Sequence, residues 1–246
     1  MTLKHLRDNW EKYAQRDPLW AILSEPGNEN NRWSEEEFFR YGDGEASEVV
    51  NTVRGKAGYV PAGKALDFGC GIGRVTQGLA GHFEEVVGVD ISPTMVALAR
   101  AHNRGRRKCE FVLNETAGLS QFAESEFVFV YSFIALQHIP PRFTIAYLKE
   151  FLRVLAPGGV LVFQLPAEFR GTGLPATLFY RLYHALYRMF LYKIFRRDEA
   201  FMEIYWISKR KVIDLIEAGG GELVDAEPSE AAGSQYPGFR YIVRRR

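Results

Sequence analysis

From about residue 45 to residue 165, short apolar runs of strand length alternate with segments whose apolar residues recur at helical spacing. No other feature narrows the fold as much. "KALDFG" reads as a first strand, "VTQGLAGHF" as its helix and "EVVGVDIS" as a second strand. "SPTMVALARAHN" is a second helix with Ser92 as N-cap and Pro93 at its first position. "CEFVLN" and "EFVFVYSF" follow as strands, then the helical "RFTIAYLKEFLRVL", which "APGG" ends before the strand "VLVFQL". Parallel strands need a crossover between them, so this alternation predicts an α/β chain with a mostly parallel sheet and helices on both faces.

Beyond this region the pattern breaks. Residues 166–205 form an aromatic-rich insertion, "SKRKVIDLIEAGGG" reads as a helix with a glycine stop, and "ELVDAEP" and "FRYIVRR" suit an antiparallel hairpin. The organisation expected is residues 1–44, a core over 45–165, the insertion over 166–205, and a C-terminal helix and hairpin over 206–246.

"ALDFGCGIGR" sits between the first strand and first helix, at the carboxyl edge where open α/β sheets bind ligands. Its alternate glycines suit a turn with positive φ and close approach of a ligand to the backbone. Asp90, about 20 positions on at the tip of the second strand, is placed to accept from ribose hydroxyls. A dinucleotide fingerprint needs Gly or Ala three residues after its second glycine, and the two frames offer Arg74 and Thr76 instead. No Gly-Lys-Ser/Thr follows for a Walker-type loop. The site reads as a nucleotide or nucleoside pocket that matches neither of these two fingerprints.

"LDFGCGIGR", "VVGVDIS", "FVLN", "YSFIALQHI" and "RVLAPGGVLVF" occur in the order and spacing of the class I S-adenosylmethionine-dependent methyltransferases, which the chain resembles over roughly residues 60–165. The resemblance implies a Rossmann-like seven-stranded sheet with an antiparallel last strand, and S-adenosyl-L-methionine as cofactor. It makes residues 1–44 a helical cap over the cofactor site. It assigns Asp67 to the methionine end, Gly69, Gly71 and Gly73 to the methionine and ribose, and Asp90 to the ribose hydroxyls. Ile91 would touch adenine and Asn114 its edge, at a position where many relatives carry aspartate. Cys70 and Arg74 belong to the same cofactor turn, Ser132 ends the fourth strand beside it, and Arg40 or Tyr41 in "FFRYGDGE" meets the methionine carboxylate or else lies on a solvated helix face.

Methyl transfer requires alignment, exclusion of water and sometimes removal of a proton. Gln137 and His138 are the catalytic candidates, His138 as a near-neutral base or as a scaffold bonded within its loop. No Asn-Pro-Pro-Tyr-like stretch follows the fourth strand, which argues against amino methylation of nucleic-acid bases or glutamine.

In the insertion, Pro175 opens a helical "LPATLFYRLYHALYRMFLYKIFRR" with Arg181, His184 and Arg188 as one polar stripe; Lys193, Arg196 and Arg197 are read as a solvated helix end. It suits a lid, a dimer contact through residues 174–195, or a membrane-surface helix, in that order. A net charge of +1 argues against nucleic acid as partner. Two distant cysteines suggest neither a disulfide framework nor a metal site. The longest apolar run, "FVFVYSFIAL", is about half of the ~20 residues a membrane helix needs, and the N-terminus carries no secretion signal. The expectation is a cytoplasmic enzyme, monomeric or homodimeric, that methylates oxygen or nitrogen of a small, partly apolar metabolite. The alternatives are a protein or RNA methyltransferase and a non-catalytic cofactor-binding module.

Overall fold

The computed structural model describes residues 2–103, 108–170 and 202–246. Three N-terminal helices, α1 (Leu3–Arg16), α2 (Pro18–Ile22) and α3 (Glu35–Ala57), precede β1 (Lys64–Phe68), α4 (Arg74–Leu79), β2 (Glu85–Asp90), α5 (Pro93–His102) and β3 (Cys109–Leu113). Then come β4 (Phe127–Ser132), a 3-10 turn (Leu136–His138), α6 (Pro141–Val154), β5 (Leu155–Pro166), and, after the insertion, α7 (Lys209–Ala218), β6 (Gly221–Ser229) and β7 (Gly238–Arg245).

The strands form one seven-stranded sheet in the order β3-β2-β1-β4-β5-β7-β6. Pairing is parallel from β3 to β5, while β7 runs antiparallel to both β5 and β6. The strand order reverses between β1 and β4, which opens a crevice above their carboxyl ends. The expected mostly parallel sheet with an antiparallel last strand is present, and the two final strands pair as a hairpin.

Both faces of the sheet are covered because its strands are apolar on both sides. One face packs Phe127, Val130, Leu161 and Phe163 against Leu148, Phe151 and Leu152 of α6 and Val212 and Ile216 of α7. The other packs Phe129, Val160 and Val162 against Val49, Val50 and Val53 of α3 and Leu79 of α4, with Phe83 stacked on Phe129 at 4.8 Å. Each such buried side chain contributes roughly 1.5–3 kcal/mol.

Two expectations are corrected. A boundary at residue 44 falls inside α3, a continuous helix that starts on Ser34, whose hydroxyl accepts from Glu37 N, and stops on left-handed Gly58. The Ala156–Gly159 stretch does not separate helix from strand: β5 starts at Leu155, directly after α6, and the extra residues are absorbed where the β4–β5 register shifts between Phe127 and Phe129. The α7–hairpin unit and the capped α5 match the sequence reading, with Ser92 Oγ accepting from Met95 N at 3.1 Å. The insertion helix, with Arg181, His184, Arg188, Lys193, Arg196 and Arg197, lies outside the described residues.

Helices α3 and α4 meet through glycines. A Cβ on Gly78 would stand 2.7 Å from Gly42 O and 2.8 Å from Ala46 Cβ. Gly78→Val is accordingly expected to lower stability by about 2–3 kcal/mol in urea melts, because two helix backbones must separate to admit the side chain.

Candidate active site

The glycine turn follows β1 into the crevice. Gly69, Gly71 and Gly73 all have positive φ (80°, 53° and 83°), which L side chains rarely adopt. Gly69 N and Cys70 N donate to Val89 O at 2.8 and 3.0 Å, tying the turn to β2. Gly71 N donates to Asp90 Oδ2 and Ser92 N to Asp90 Oδ1, both at 2.9 Å. The Asp90 carboxylate is thus held at the tip of β2 with further lone pairs left on each oxygen. Burial pushes its pKa up, against those backbone donors.

Asp67, at the end of β1, accepts from Thr76 Oγ1 at 2.6 Å. Burial pushes its carboxyl up to about 7; Thr76 opposes the shift and nearby Glu45 reinforces it. Arg74 carries a guanidinium into the same region: its Nη2 meets Glu45 Oε2 at 2.8 Å, and Tyr131 OH donates to Glu45 Oε1 at 2.8 Å. Arg74 Nε is buried with no partner. Beyond β3, Asn114 Oδ1 accepts from Thr116 Oγ1 at 2.9 Å, and its Nδ2 lies 3.4 Å from Tyr147 OH.

After β4, His138 Nδ1 lies 2.8 Å from Glu203 O and its Nε2 lies 3.2 Å from Gln137 Nε2. Burial pushes the imidazole down to about 4, against the pull of the Glu203 carbonyl. A near-neutral base is therefore not what this histidine offers. Both ring nitrogens are engaged, Nε2 by Gln137 within the turn and Nδ1 by the distant Glu203 carbonyl, as a scaffold residue would be. A histidine whose folded pKa lies below its unfolded value supports the fold fully above the unfolded pKa and loses that support as pH falls toward the folded one. Between about pH 6.5 and pH 4 the wild type should lose on the order of 2–3 kcal/mol that His138→Leu does not lose, as read from paired urea melts at pH 7 and pH 5.

One cavity of about 490 Å³ gathers most of the expected site. Asp67, Gly69, Cys70, Gly71, Arg74, Asp90, Ile91, Asn114, Gln137 and His138 all line it. Leu6 and Trp10 of α1, Ala21 and Ile22 of α2, and Met202 and Ile204 from the end of the insertion complete an apolar section of wall. Helix α1 is fastened across the crevice by Glu11, which accepts from Ser92 Oγ at 2.6 Å and Thr94 N at 3.2 Å, and Trp10 meets the His138 ring edge-on at 5.2 Å.

Four expected residues lie elsewhere. Gly73 faces the Phe111 ring, 2.6 Å from where its Cβ would stand. Ser132 is fully buried, its hydroxyl without a partner. Arg40, its side chain 71% exposed and 3.7 Å from Glu37, and Tyr41, 46% exposed, border a shallower neighbouring cavity instead. The reason is helix phase: Phe38, Gly42, Ala46, Val49 and Val53 mark the buried face of α3. Glu45, which shares that side, was missed, although the same spacing could have found it. Tyr131, Trp10, Glu11 and Tyr147 were also missed, and no sequence signal marks them apart from ordinary core residues.

The wall has the chemistry of an S-adenosylmethionine site. Carboxylates at Glu25, Glu45, Asp67 and Asp90 stand against one guanidinium, Arg74, whose pull on Asp67 does not outweigh that carboxyl's burial. Such a wall fits a ligand with a sulfonium, an ammonium, one carboxylate and a ribose diol. Residues 66–163 match the family model described as a methyltransferase domain. This segment is a class I S-adenosylmethionine-dependent methyltransferase domain. The chain is 33% identical over 135 residues to a demethylmenaquinone methyltransferase of Staphylococcus saprophyticus, covering 54% of each chain. It is 36% identical over 104 residues to a trans-aconitate 2-methyltransferase of Methylobacterium radiotolerans, covering 42% of this chain and 37% of that protein. The chain thus spans about half or less of the length of these relatives. Its fold is similar to magnesium protoporphyrin IX methyltransferase from Synechocystis with bound S-adenosylhomocysteine, at 17% identity, a TM-score of 0.64 and 99% coverage of both chains. The methyltransferase domain therefore sits in a full seven-stranded sheet, with α1 to α3 and the C-terminal hairpin added to the matched segment.

Proposed function

We propose that this chain is an S-adenosylmethionine-dependent methyltransferase acting on oxygen or nitrogen of a small, partly apolar metabolite. One observation carries the reading: a single cavity joins the acidic glycine-turn wall to an apolar section from α1, α2 and the end of the insertion. The cofactor supplies a methyl group already activated by its sulfonium. The chain supplies position and dryness. Asp90 takes the ribose hydroxyls, Ile91 and Asn114 border adenine, and Asp67 and Arg74 receive the ammonium and carboxylate. Glu45 aims Arg74 and is itself held by Tyr131. Leu6 and Trp10 shield the crevice from water, which strengthens every charge interaction inside it.

Small-molecule relatives support a small acceptor. Among the described residues no helix is long and apolar enough to cross a membrane. Free thiols at Cys70 and Cys109 support a reducing cytoplasm. We take the working form to be a monomer or a homodimer, without nucleic acid as partner. Calorimetry should show S-adenosylhomocysteine binding at one site per chain and no NAD binding. Incubation with labelled S-adenosylmethionine and fractionated metabolite extract should transfer label to a small organic-extractable product. Absence of cofactor binding overturns the reading, and label on RNA or protein overturns the substrate class.

A further inference from the structure

Helix α1 is tied to the site at three points, each beside a residue of the cavity wall. Arg7 Nη1 meets Glu115 Oε1 at 2.6 Å, next to Asn114. Trp10 lies edge-on to the ring of His138, which is itself part of the wall. Glu11 binds the start of α5, just past Asp90 and Ile91. Its Oε2 accepts from Ser92 Oγ at 2.6 Å and from Thr94 N at 3.2 Å, and its Oε1 accepts from Thr94 Oγ1 and, within α1, from Gln15 Nε2 at 3.0 Å. One helix therefore bridges the segments that follow β2, β3 and β4. The turn after β1 is covered separately by α2, since a Cβ on Gly71 would collide with Ile22 Cδ1. Between the two helices, buried Asp17 accepts from Trp20 N at 3.3 Å and Asn31 N at 2.9 Å, which anchors α2 without help from α1.

These ties are unequal. The Arg7–Glu115 pair is partly exposed, and such pairs hold little. Glu11 instead gathers three donors of α5 on one carboxylate, bonds of the charge-assisted kind, and one of them comes from the fully buried Ser92. We infer that Glu11 is the latch of a strap formed by α1, and that S-adenosylmethionine and its product pass in and out of the site when Glu11 releases Ser92 and Thr94. This rests on the methyltransferase reading and deepens it with the step that controls cofactor exchange. Ser92 links the latch to the cofactor site, because its N donates to Asp90 Oδ1 while its Oγ donates to Glu11. Burial above all, with the Glu11 charge adding a smaller push, raises the Asp90 carboxyl, so the latch stands within electrostatic reach of the ribose position. Opening exposes Leu6, buried against the sheet core, and Trp10, which keeps the strap shut in the empty protein. Every Glu11 contact is to the chain itself. Losing them weakens closure equally with and without ligand, which changes the rates of exchange and leaves the affinity in place.

The test measures association and chase of radiolabelled S-adenosylhomocysteine by rapid filtration on the full chain. In Glu11→Ala both rate constants should rise by about tenfold, with Kd within about twofold of the wild type. Thr94→Val removes one donor from the other side of the latch and should raise both rates by about threefold. Should Glu11→Ala fail to fold by circular dichroism, Thr94→Val and Glu11→Gln carry the same comparison. Rates unchanged in the folded variants overturn the inference. So does faster dissociation with unchanged association and a weaker Kd, the pattern of a residue that only props Asp90 through Ser92. Failure of S-adenosylhomocysteine to bind the wild type overturns the methyltransferase reading instead, so the two failures are distinguishable.

Discussion

Asp90→Ala is expected to weaken S-adenosylhomocysteine binding by about 2–3 kcal/mol, roughly 30- to 150-fold, with the chain still folded. Two losses combine. The ribose hydroxyls lose a charged acceptor, and Gly71 N and Ser92 N lose the oxygens that hold the glycine turn against the start of α5. The fold survives because the turn is also tied to β2 through Gly69 N and Cys70 N on Val89 O. Removing a carboxylate whose burial disfavours its charge further offsets the lost bonds. Isothermal calorimetry with a parallel thermal melt checks both halves. Unchanged affinity sinks the ribose assignment, and a collapsed melt would show Asp90 to be structural.

Asp67→Asn is expected to move stability and binding in opposite directions. The Asp67 pKa in the folded chain is pushed up to about 7, above the ordinary value of 3.8. A carboxyl with a raised folded pKa stabilises fully below the unfolded value and loses that contribution as pH rises through the folded one. Above pH 7 the ionised side chain therefore costs on the order of 3 kcal/mol, a cost the amide avoids while still accepting from Thr76 Oγ1. The variant should melt higher than the wild type at pH 8 and no higher at pH 4. Its cofactor affinity should fall, because the ammonium loses an anionic partner. In the wild type, S-adenosylmethionine affinity should drop as pH falls below about 7, approaching tenfold per unit, since binding requires the ionised carboxylate. Calorimetry in buffers of different ionisation enthalpy should detect the proton released near pH 6.5. A wild-type affinity that is flat from pH 8 to pH 5.5 removes Asp67 from the ammonium site.

The two expected outcomes together describe a site that gives up folding stability for charge. Burial raises the pKa of both Asp67 and Asp90; Arg74 offsets only part of the rise at Asp67, and under the proposed function the ligand's ammonium would relieve more of it. Cofactor binding should therefore raise the melting temperature more than the affinity of an uncharged nucleoside would, an effect that grows with ligand concentration.

Much of the architecture could be read without coordinates. Strand period, the Ser92–Pro93 cap and the glycine turn are local signals, because φ, capping and side-chain alternation depend on residues a few positions apart. Those signals placed β1, β2, α5 and Asp90 correctly on the carboxyl edge of the sheet. Fine placement in α3 was less accessible. Arg40 and Tyr41 stand in the same polar stretch as Glu45, but the packing of Gly42 against α4 turns Glu45 to Arg74 and leaves Arg40 outside.

What the sequence by itself determined is the order of elements from β1 to β5, the mostly parallel character of the sheet, and the glycine turn followed by an acidic strand end, since each follows from short-range chemistry, while the antiparallel last strand was implied by the family resemblance. The tertiary structure alone decided the protonation and orientation of the groups inside that crevice. Arg74 finds Glu45 29 residues upstream, and His138 takes its tautomer from Glu203, 65 residues downstream. Helix spacing puts Glu45 on the buried side of α3 without naming its partner, and neither spacing nor composition marks Glu203. Their pairing arises only when helix α3 and the end of the insertion pack onto the sheet, because burial is what raises the cost of leaving a polar atom unpaired.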